Sequence, residues 1–433
     1  MTLDADLLKK IKNSLIGAFY LKYIRKYSFA RELAFFLWRR FLPIYLFLKY
    51  RSVPRQWLSI CHLKELTSLK KCVLFNVTTI NTPVPITFSS VDEQEVANST
   101  GQQALIFPEI YSVELNHAVV LSGTSMFFCE NQLVAHDLFD VSYDETSEEL
   151  HGIIRLNVRK RRVQSYYNAE GGDRIVEAAS FLDACASNYA HWTTEVLPKI
   201  ALFCHAKGSN HIPIIVDARL HPNLLASLNI VTQGRHEVIF LSRGETLAVQ
   251  KLHQISCVGY VPFGQRKKRQ TGYPHGLFSS HALHRVRSLS IPVALKELEG
   301  RKTYTKIFLK RNSNTRNIVN HEQIETLFVE AGYEVIEPEK LNYLEQVYLF
   351  NNATHIAGAT GAAFANLIYC RENTKILIFM SAGPKSIYWY WQNMAVATGN
   401  VVHYILGKAE NKNQAHSDFY VSPAVVRKFI SLD

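Results

Sequence analysis

Several things are scarce in this 433-residue chain, and each scarcity narrows what it can be. Cysteine is sparse: seven residues, at 61, 72, 129, 185, 204, 257 and 370, odd in number and scattered, with no Cys-x-x-Cys pair. That pattern argues against a disulfide framework and against a structural zinc site. The only Asp-x-Asp is Asp4-Ala5-Asp6, at the N-terminal end. There is no internal repeat, no low-complexity tract, and no apolar run of the ~18–20 residues that a spanning helix needs. No clean apolar stretch followed by a small-residue cleavage site marks a signal peptide. Together these features lead us to expect a cytoplasmic protein.

Acidic residues are scarce in one place. Residues 1–60 hold twelve Lys and Arg against three acids, a net +9 of the chain's +11, so the remaining 373 residues carry only +2. A near-neutral body gives no case for nucleic-acid binding. The basic stretch is also aromatic and apolar: Leu33 to Trp38, then Arg39-Arg40, then Phe41 to Leu48. Interleaved bases and aromatics suit a helical segment lying on an anionic membrane surface, so we expect residues 1–65 to make the protein peripheral on the inner membrane.

Apolar residues make up 47% of the chain, enough for packed cores in two or three domains. Residues 70–165 show short alternating runs such as Cys72–Val77 and His117–Leu121, separated by turn residues, and read as β-rich. From about 174 helices and strands alternate, with strands expected at 212–216 and 238–241 and a helix at 224–228. A basic stretch punctuated by Pro and Gly, 262–276, reads as a loop near a domain boundary. Beyond 305 the alternation is regular: strands at 306–309, 333–336, 355–357, 375–379 and 401–405, with helices at 321–331, 343–351, 361–369 and 387–398 between them. Short links between strands and helices imply a parallel, doubly wound sheet, which binds ligands beyond the carboxyl ends of its strands.

Three groups of residues could carry chemistry. Ala357-Gly358-Ala359-Thr360-Gly361-Ala362-Ala363 follows a strand and opens a helix; its small residues would let a diphosphate approach free N–H groups, although glycines also serve tight packing. Lys310 and Arg311 follow the strand 306–309, with Arg316 and Asn320 close behind, where guanidinium groups could bind phosphate oxygens. In the third group His191 and Glu195 lie one helical turn apart. An imidazole beside a carboxylate can take a proton from a hydroxyl; such a pair is also common as plain structure. Pro198 would kink this element or start a second helix.

In order and spacing, Phe308-Leu309-Lys310-Arg311, Arg316 to Glu322, Gly332 to Glu339, Glu345-Gln346-Val347 and Ala357 to Leu367 resemble glycosyltransferase family 61, which includes bacterial capsular polysaccharide biosynthesis proteins. The stretch Asn188 to Pro198 resembles that family's upstream His-Trp…Glu…Leu-Pro element. The likeness covers roughly residues 185–380. It implies an α/β, GT-B-like fold of two Rossmann-type domains facing a cleft: an acceptor-side domain over 66–275 and a nucleotide-sugar-binding domain over 276–433. It implies inverting transfer from a nucleotide sugar to a glycan, without a metal or other cofactor; the basic N-terminal segment leads us to expect a lipid-linked or anionic glycan acceptor at the membrane face. By the same likeness Arg311, Arg316 and the Gly361 loop would hold the donor diphosphate; we expect Lys310, Asn320, Gln346, Thr360, Ala362 and Asn366 to join them in binding the donor, and, on the chemistry of an imidazole beside a carboxylate, His191 and Glu195 to be catalytic. One departure stands out: Thr360 occupies the place where the family usually carries His. A sugar-phosphate transferase and a non-catalytic binding member remain alternatives.

Overall fold

The computed structural model describes residues 57–66, 70–89, 103–150, 153–165, 172–207, 211–266, 276–313, 315–383, 388–411 and 416–432, with Leu33, Leu37 and Phe41 before them. The rest of the basic N-terminal stretch and residues 267–275 of the expected loop lie outside the described residues.

The C-terminal half follows the alternation closely. Its five main strands are Lys306–Leu309, Glu334–Ile336, His355–Ala359, Lys375–Ala382 and Val401–Ala409, all parallel. Numbered along the chain, they lie in the order 2-1-3-4-5. Helices connect them because a parallel neighbour is reached only by a crossover. His321–Glu330 forms because Ile324, Leu327 and Phe328 recur on one face, and it buries them. It ends before Gly332, whose φ of 82° closes the turn. Tyr343–Asn352 begins with a capping box between Asn342 and Glu345. The order 2-1-3 creates a switch point. The first and third strands are neighbours, but the chain leaves their carboxyl ends toward opposite faces, and a crevice opens between Lys310-Arg311 and Thr360-Gly361.

The N-terminal half is built differently from a plain Rossmann unit. Its sheet has eleven strands among the described residues and is mixed. Thr246–Ile255, Asp173–Ser180, Ile214–Asp217 and Val238–Leu241 are parallel neighbours in that order, linked partly by helices. The remainder, reached through the antiparallel strand Ile110–Leu121, is mostly antiparallel. Only one end of this sheet matches the expected Rossmann-type layout. The cause is visible in the alternating runs of 70–165, which form hairpins rather than crossovers.

Two further departures concern boundaries. Trp57–His62 is a strand paired with both Arg162–Ser165 and Gln132–Ala135, so the end of the expected helical segment 1–65 belongs to the first sheet. Ile86–Ser89 leaves the N-terminal half altogether and pairs in parallel with Val401–Ala409 at the edge of the second sheet. The flanking strands Thr78–Thr82 and Gln103–Phe107 pair antiparallel with each other, and the first packs on the helix Trp389–Ala397, where Thr82 Oγ1 donates to Asn393 Oδ1 at 2.6 Å.

The halves share one core. Trp192, Val196, Ile200 and Phe203 from the first meet Val347, Phe350, Phe364 and Leu367 from the second in a single buried cluster. The helix Ser280–Glu297 packs against helices of both halves. At roughly 1.5–3 kcal/mol for each large apolar side chain buried, this shared cluster fixes one half against the other.

Candidate functional site

The helical element that carries the dyad starts at Asn188, whose side chain accepts from Ala190 N. It runs through Tyr189–His191, widens to π-helical pitch over Trp192–Val196, and continues as Leu197–Lys207. Pro198 supplies no N–H for the carbonyl of Thr194, and the chain relaxes into the wider pitch just before it instead of kinking apart. Trp192 anchors the element, wholly buried, with its indole N–H donating to Ser227 Oγ at 2.8 Å.

His191 and Glu195 meet as expected: Nδ1 of the imidazole lies 2.6 Å from Glu195 Oε1. The second carboxylate oxygen of Glu195 accepts from Val261 N at 3.3 Å. Burial is the largest single influence on His191 and disfavours its charge, but Glu195 and Asp183 together outweigh it and raise the pKa above 6.5. With Nδ1 engaged by Glu195, Nε2 is the nitrogen left for a substrate hydroxyl.

The dyad lines a cavity of about 570 Å³ to which both halves contribute: Arg316, Thr360, Gly361 and Ala362 come from the second. A second cavity of about 380 Å³ is lined by Lys310, Arg311, Gln346, Tyr189, Asn223 and Glu339. The two share Gly361 and Ala362, so the glycine turn stands at their junction.

The two glycines of that turn serve different ends. A Cβ on Gly358 would collide with the backbone and Cβ of Leu309, so Gly358 allows two strands to pack. A Cβ on Gly361 would collide instead with Nη1 of Arg311, so Gly361 makes room for a guanidinium above the turn. From Ala362 to Tyr369 the chain forms a 3₁₀ helix, its first N–H groups at the crevice.

Arg311 and Arg316 form a pair of neighbouring cations, with Asp418 and Glu339 near enough to Arg311 to favour its charge but not to pair with it. Burial lowers the pKa of Arg311 to about 10, and the neighbouring Arg316 adds to the effect. Burial also lowers that of Arg316. Arg316 sits at a φ of 62°, a left-handed conformation that few non-glycine residues adopt, and its Nε is buried without a partner among the described residues. Neither guanidinium forms an ion pair with a carboxylate among the described residues. Arg311 Nε donates to the carbonyl of Thr315 at 3.0 Å, which aims the group. Two partly desolvated cations beside one another are costly unless an anion joins them.

The remaining sequence-chosen residues divide. Lys310 lines the smaller cavity, tied to Glu325 at 3.0 Å. Thr360 lines the larger one; its Oγ1 accepts from Trp391 Nε1 at 2.9 Å, and its own proton remains available to an anion. Gln346 and Asn366 are spent on each other: Asn366 Nδ2 donates to Gln346 Oε1 at 2.7 Å while Asn366 Oδ1 accepts from Tyr189 OH at 2.6 Å. This buried chain couples the dyad's helix to the 3₁₀ helix, so Asn366 positions the site from beneath. Asn320 lies outside the lining of both cavities. Its amide exchanges hydrogen bonds with the backbone of Val421, at 3.0 and 2.9 Å, and staples the C-terminal segment.

Residues that sequence reasoning passed over also line the large cavity: His136, Glu145, Glu148, Asp183, Tyr260 and Phe263. Asp183 follows the parallel strand Asp173–Ser180, and the rule that ligands gather beyond such strand ends would have found it. Glu148 and His136 come from the β-rich region, where no spacing signals a site.

A crevice at a topological switch point, holding paired cations and adjoining a histidine–carboxylate dyad, has the makings of a group-transfer site that handles an anionic ligand. The comparison with known families sharpens this: residues 189–377 match the family described as Glycosyltransferase 61. The protein is a glycosyltransferase whose residues 189–377 form a family 61 domain. No curated protein matches the chain.

Proposed function

We propose that the protein transfers a sugar from a nucleotide-sugar donor to a hydroxyl of a glycan acceptor, with inversion and without a metal ion, in a GT-B-like arrangement. The observation that carries this reading is the pair Arg311 and Arg316, neither in an ion pair with a carboxylate among the described residues, at the glycine turn. The donor's diphosphate lies across Gly361 and Ala362, held by both guanidiniums, the first N–H groups of the 3₁₀ helix and the hydroxyl of Thr360. Its nucleoside extends into the smaller cavity past Lys310, and its sugar into the larger one toward His191.

Nε2 of His191 accepts the proton of the acceptor hydroxyl as that oxygen attacks the anomeric carbon. Glu195 holds Nδ1–H and stabilises the imidazolium. The bond from the anomeric carbon to the phosphate oxygen breaks on the face away from the attack, and the nucleoside diphosphate leaves with the bond's electron pair. Arg311 and Arg316 stabilise the charge that grows on it, the role a divalent cation would otherwise take. A single displacement of this kind inverts the anomeric centre. Thr360 donates a hydrogen bond where the family's His could supply charge, so the two guanidiniums carry more of the load.

The test is thermal shift of the purified protein against nucleoside diphosphates and nucleotide sugars, with EDTA present, beside Arg316→Ala. A ligand that binds only the folded state raises the midpoint with occupancy. A rise with one nucleotide, lost in the variant, supports the reading; no rise with any of them removes it.

The location is proposed on separate grounds. Leu33, Leu37 and Phe41, four residues apart in helical conformation, are exposed at 44, 42 and 61%, as an apolar face turned to a membrane surface would be. Among the described residues no helix is long and apolar enough to cross a membrane. We place the enzyme on the cytoplasmic membrane face, serving a capsular or other cell-surface polysaccharide through a lipid-linked acceptor. Deleting residues 1–60 would then abolish sedimentation with anionic liposomes, and unchanged sedimentation would refute the placement.

A further inference from the structure

The large cavity is charged unevenly. Glu145, Glu148 and Asp183 line it together with Glu195 of the dyad, against a single guanidinium, Arg316, at the glycine turn. Glu148 is 6% exposed; its carboxylate accepts from Thr124 Oγ1 at 2.9 Å and from Ser147 Oγ at 3.3 Å. Neither Glu148 nor Asp183 has an ion-pair partner among the described residues. Phe263, on the same cavity, is 50% exposed, so its ring is open to a ligand there. His136 meets Tyr260 edge to face at 4.5 Å between ring centres, and its buried Nδ1 has no partner among the described residues. His136, Glu145, Glu148 and Asp183 all precede residue 189, outside the span that matches the family.

An aromatic face flanked by hydrogen-bond acceptors is the chemistry that holds a sugar ring. The ring's C–H face packs on the arene, and its hydroxyls donate charge-assisted bonds to carboxylates. The same carboxylates repel a second negative charge. We propose that this wall binds an uncharged sugar at the acceptor's end, its ring on Phe263 and its hydroxyls on Glu145, Glu148 and Asp183, and that it rejects acidic sugars. The proposal rests on the reading that the cavity is the transfer site, and it names the acceptor class that reading leaves open.

Matched pairs of methyl glycosides and their C6-oxidised glycosiduronic acids, in the gluco, galacto and manno series, test this by saturation-transfer NMR on the full chain at about pH 8, where the carboxyl of Glu148, lifted to about 7, is ionised. At least one neutral glycoside is expected to receive saturation, and its acidic partner to bind on the order of 100-fold more weakly. Phe263→Ala should abolish the signal, and Glu148→Gln should narrow the gap between partners. An acidic glycoside that binds as well as its neutral partner overturns the proposal. So does the absence of binding by every neutral glycoside. Thermal shift by nucleotides is read alongside: its loss alone counts against the transfer-site reading, while the glycoside result still decides the wall.

Discussion

Glu148→Gln is expected to stabilise the protein, by an amount that grows with pH. Burial lifts the carboxyl of Glu148 from 4.5 to about 7, Asp183 adds to the lift, and the hydrogen bonds from Thr124 and Ser147 offset only part of it. Between those two pH values the folded chain holds a proton that the unfolded chain has released. Stability attributable to this group is therefore present at low pH, falls as pH rises through the window, and is lost above about 7. The lift from 4.5 to about 7 corresponds to roughly 3 kcal/mol at pH 8, and to under about 1 kcal/mol at pH 5. Glutamine keeps an acceptor for Thr124 and carries no charge, so it removes that cost. Asp217, raised to about 7 mainly by burial, titrates in both proteins and cancels in the difference. Urea unfolding at pH 5, 6, 7 and 8, followed by tryptophan fluorescence, reads the gap directly. It should widen by about 2 to 3 kcal/mol from pH 5 to 8. A gap independent of pH, or a variant less stable than the parent at pH 8, would refute the reasoning.

Three more substitutions probe the donor site and the dyad. Arg316→Ala should weaken nucleotide binding by about 30- to 1,000-fold, the loss of a charge-assisted contact of roughly 2–4 kcal/mol; titration calorimetry measures it. Gly361→Ala places a Cβ against the far end of Arg311, which can swing away, so the midpoint of unfolding should hold while donor KM rises by about tenfold. For a base, rate falls as pH drops through the pKa of His191. Glu195→Gln removes a partner that raises this pKa and leaves burial, which lowers it, so the acid limb of the kcat profile should move to lower pH. A limb that stays in place would take His191 out of the role of base.

What could be read from the sequence was whatever local periodicity encodes. The strand Lys306–Leu309 lies where its apolar run put it, and the glycine turn lies at the end of His355–Ala359, because βα units announce themselves over a few residues. The closeness of His191 to Glu195 follows from helical spacing alone. Contacts made across long distances in the chain left no such mark. Nothing in Ile86–Ser89 says that it will pair with Val401–Ala409, more than 300 residues away. Trp57–His62 was hidden in a basic aromatic stretch because bulky β-formers look alike on a strand and on an interfacial helix. Asn320 sits among donor-site residues in sequence, yet its amide turns to Val421. Glu148 enters the cavity from a region whose alternation announced only strands.

The site holds two clusters of like charge, each unfavourable by itself: the guanidiniums of Arg311 and Arg316 on the donor side and the carboxyls of Glu148, Asp183 and Glu195 on the other. Had stability alone shaped the cavity, the two sets would neutralise each other, yet among the described residues no ion pair joins them. Keeping them apart costs folding free energy, in the lowered pKa values of the two arginines and in the raised values of Glu148 and Asp183. Each cluster suits one substrate, phosphate oxygens for the cations and sugar hydroxyls for the carboxyls. His191 stands beside Glu195 and Asp183 in the cavity that Arg316 also lines, where it can take a proton from one substrate as the other departs. A bound nucleoside diphosphate would relieve the cationic half alone, so nucleotide and acceptor should each stabilise the fold by a separate route.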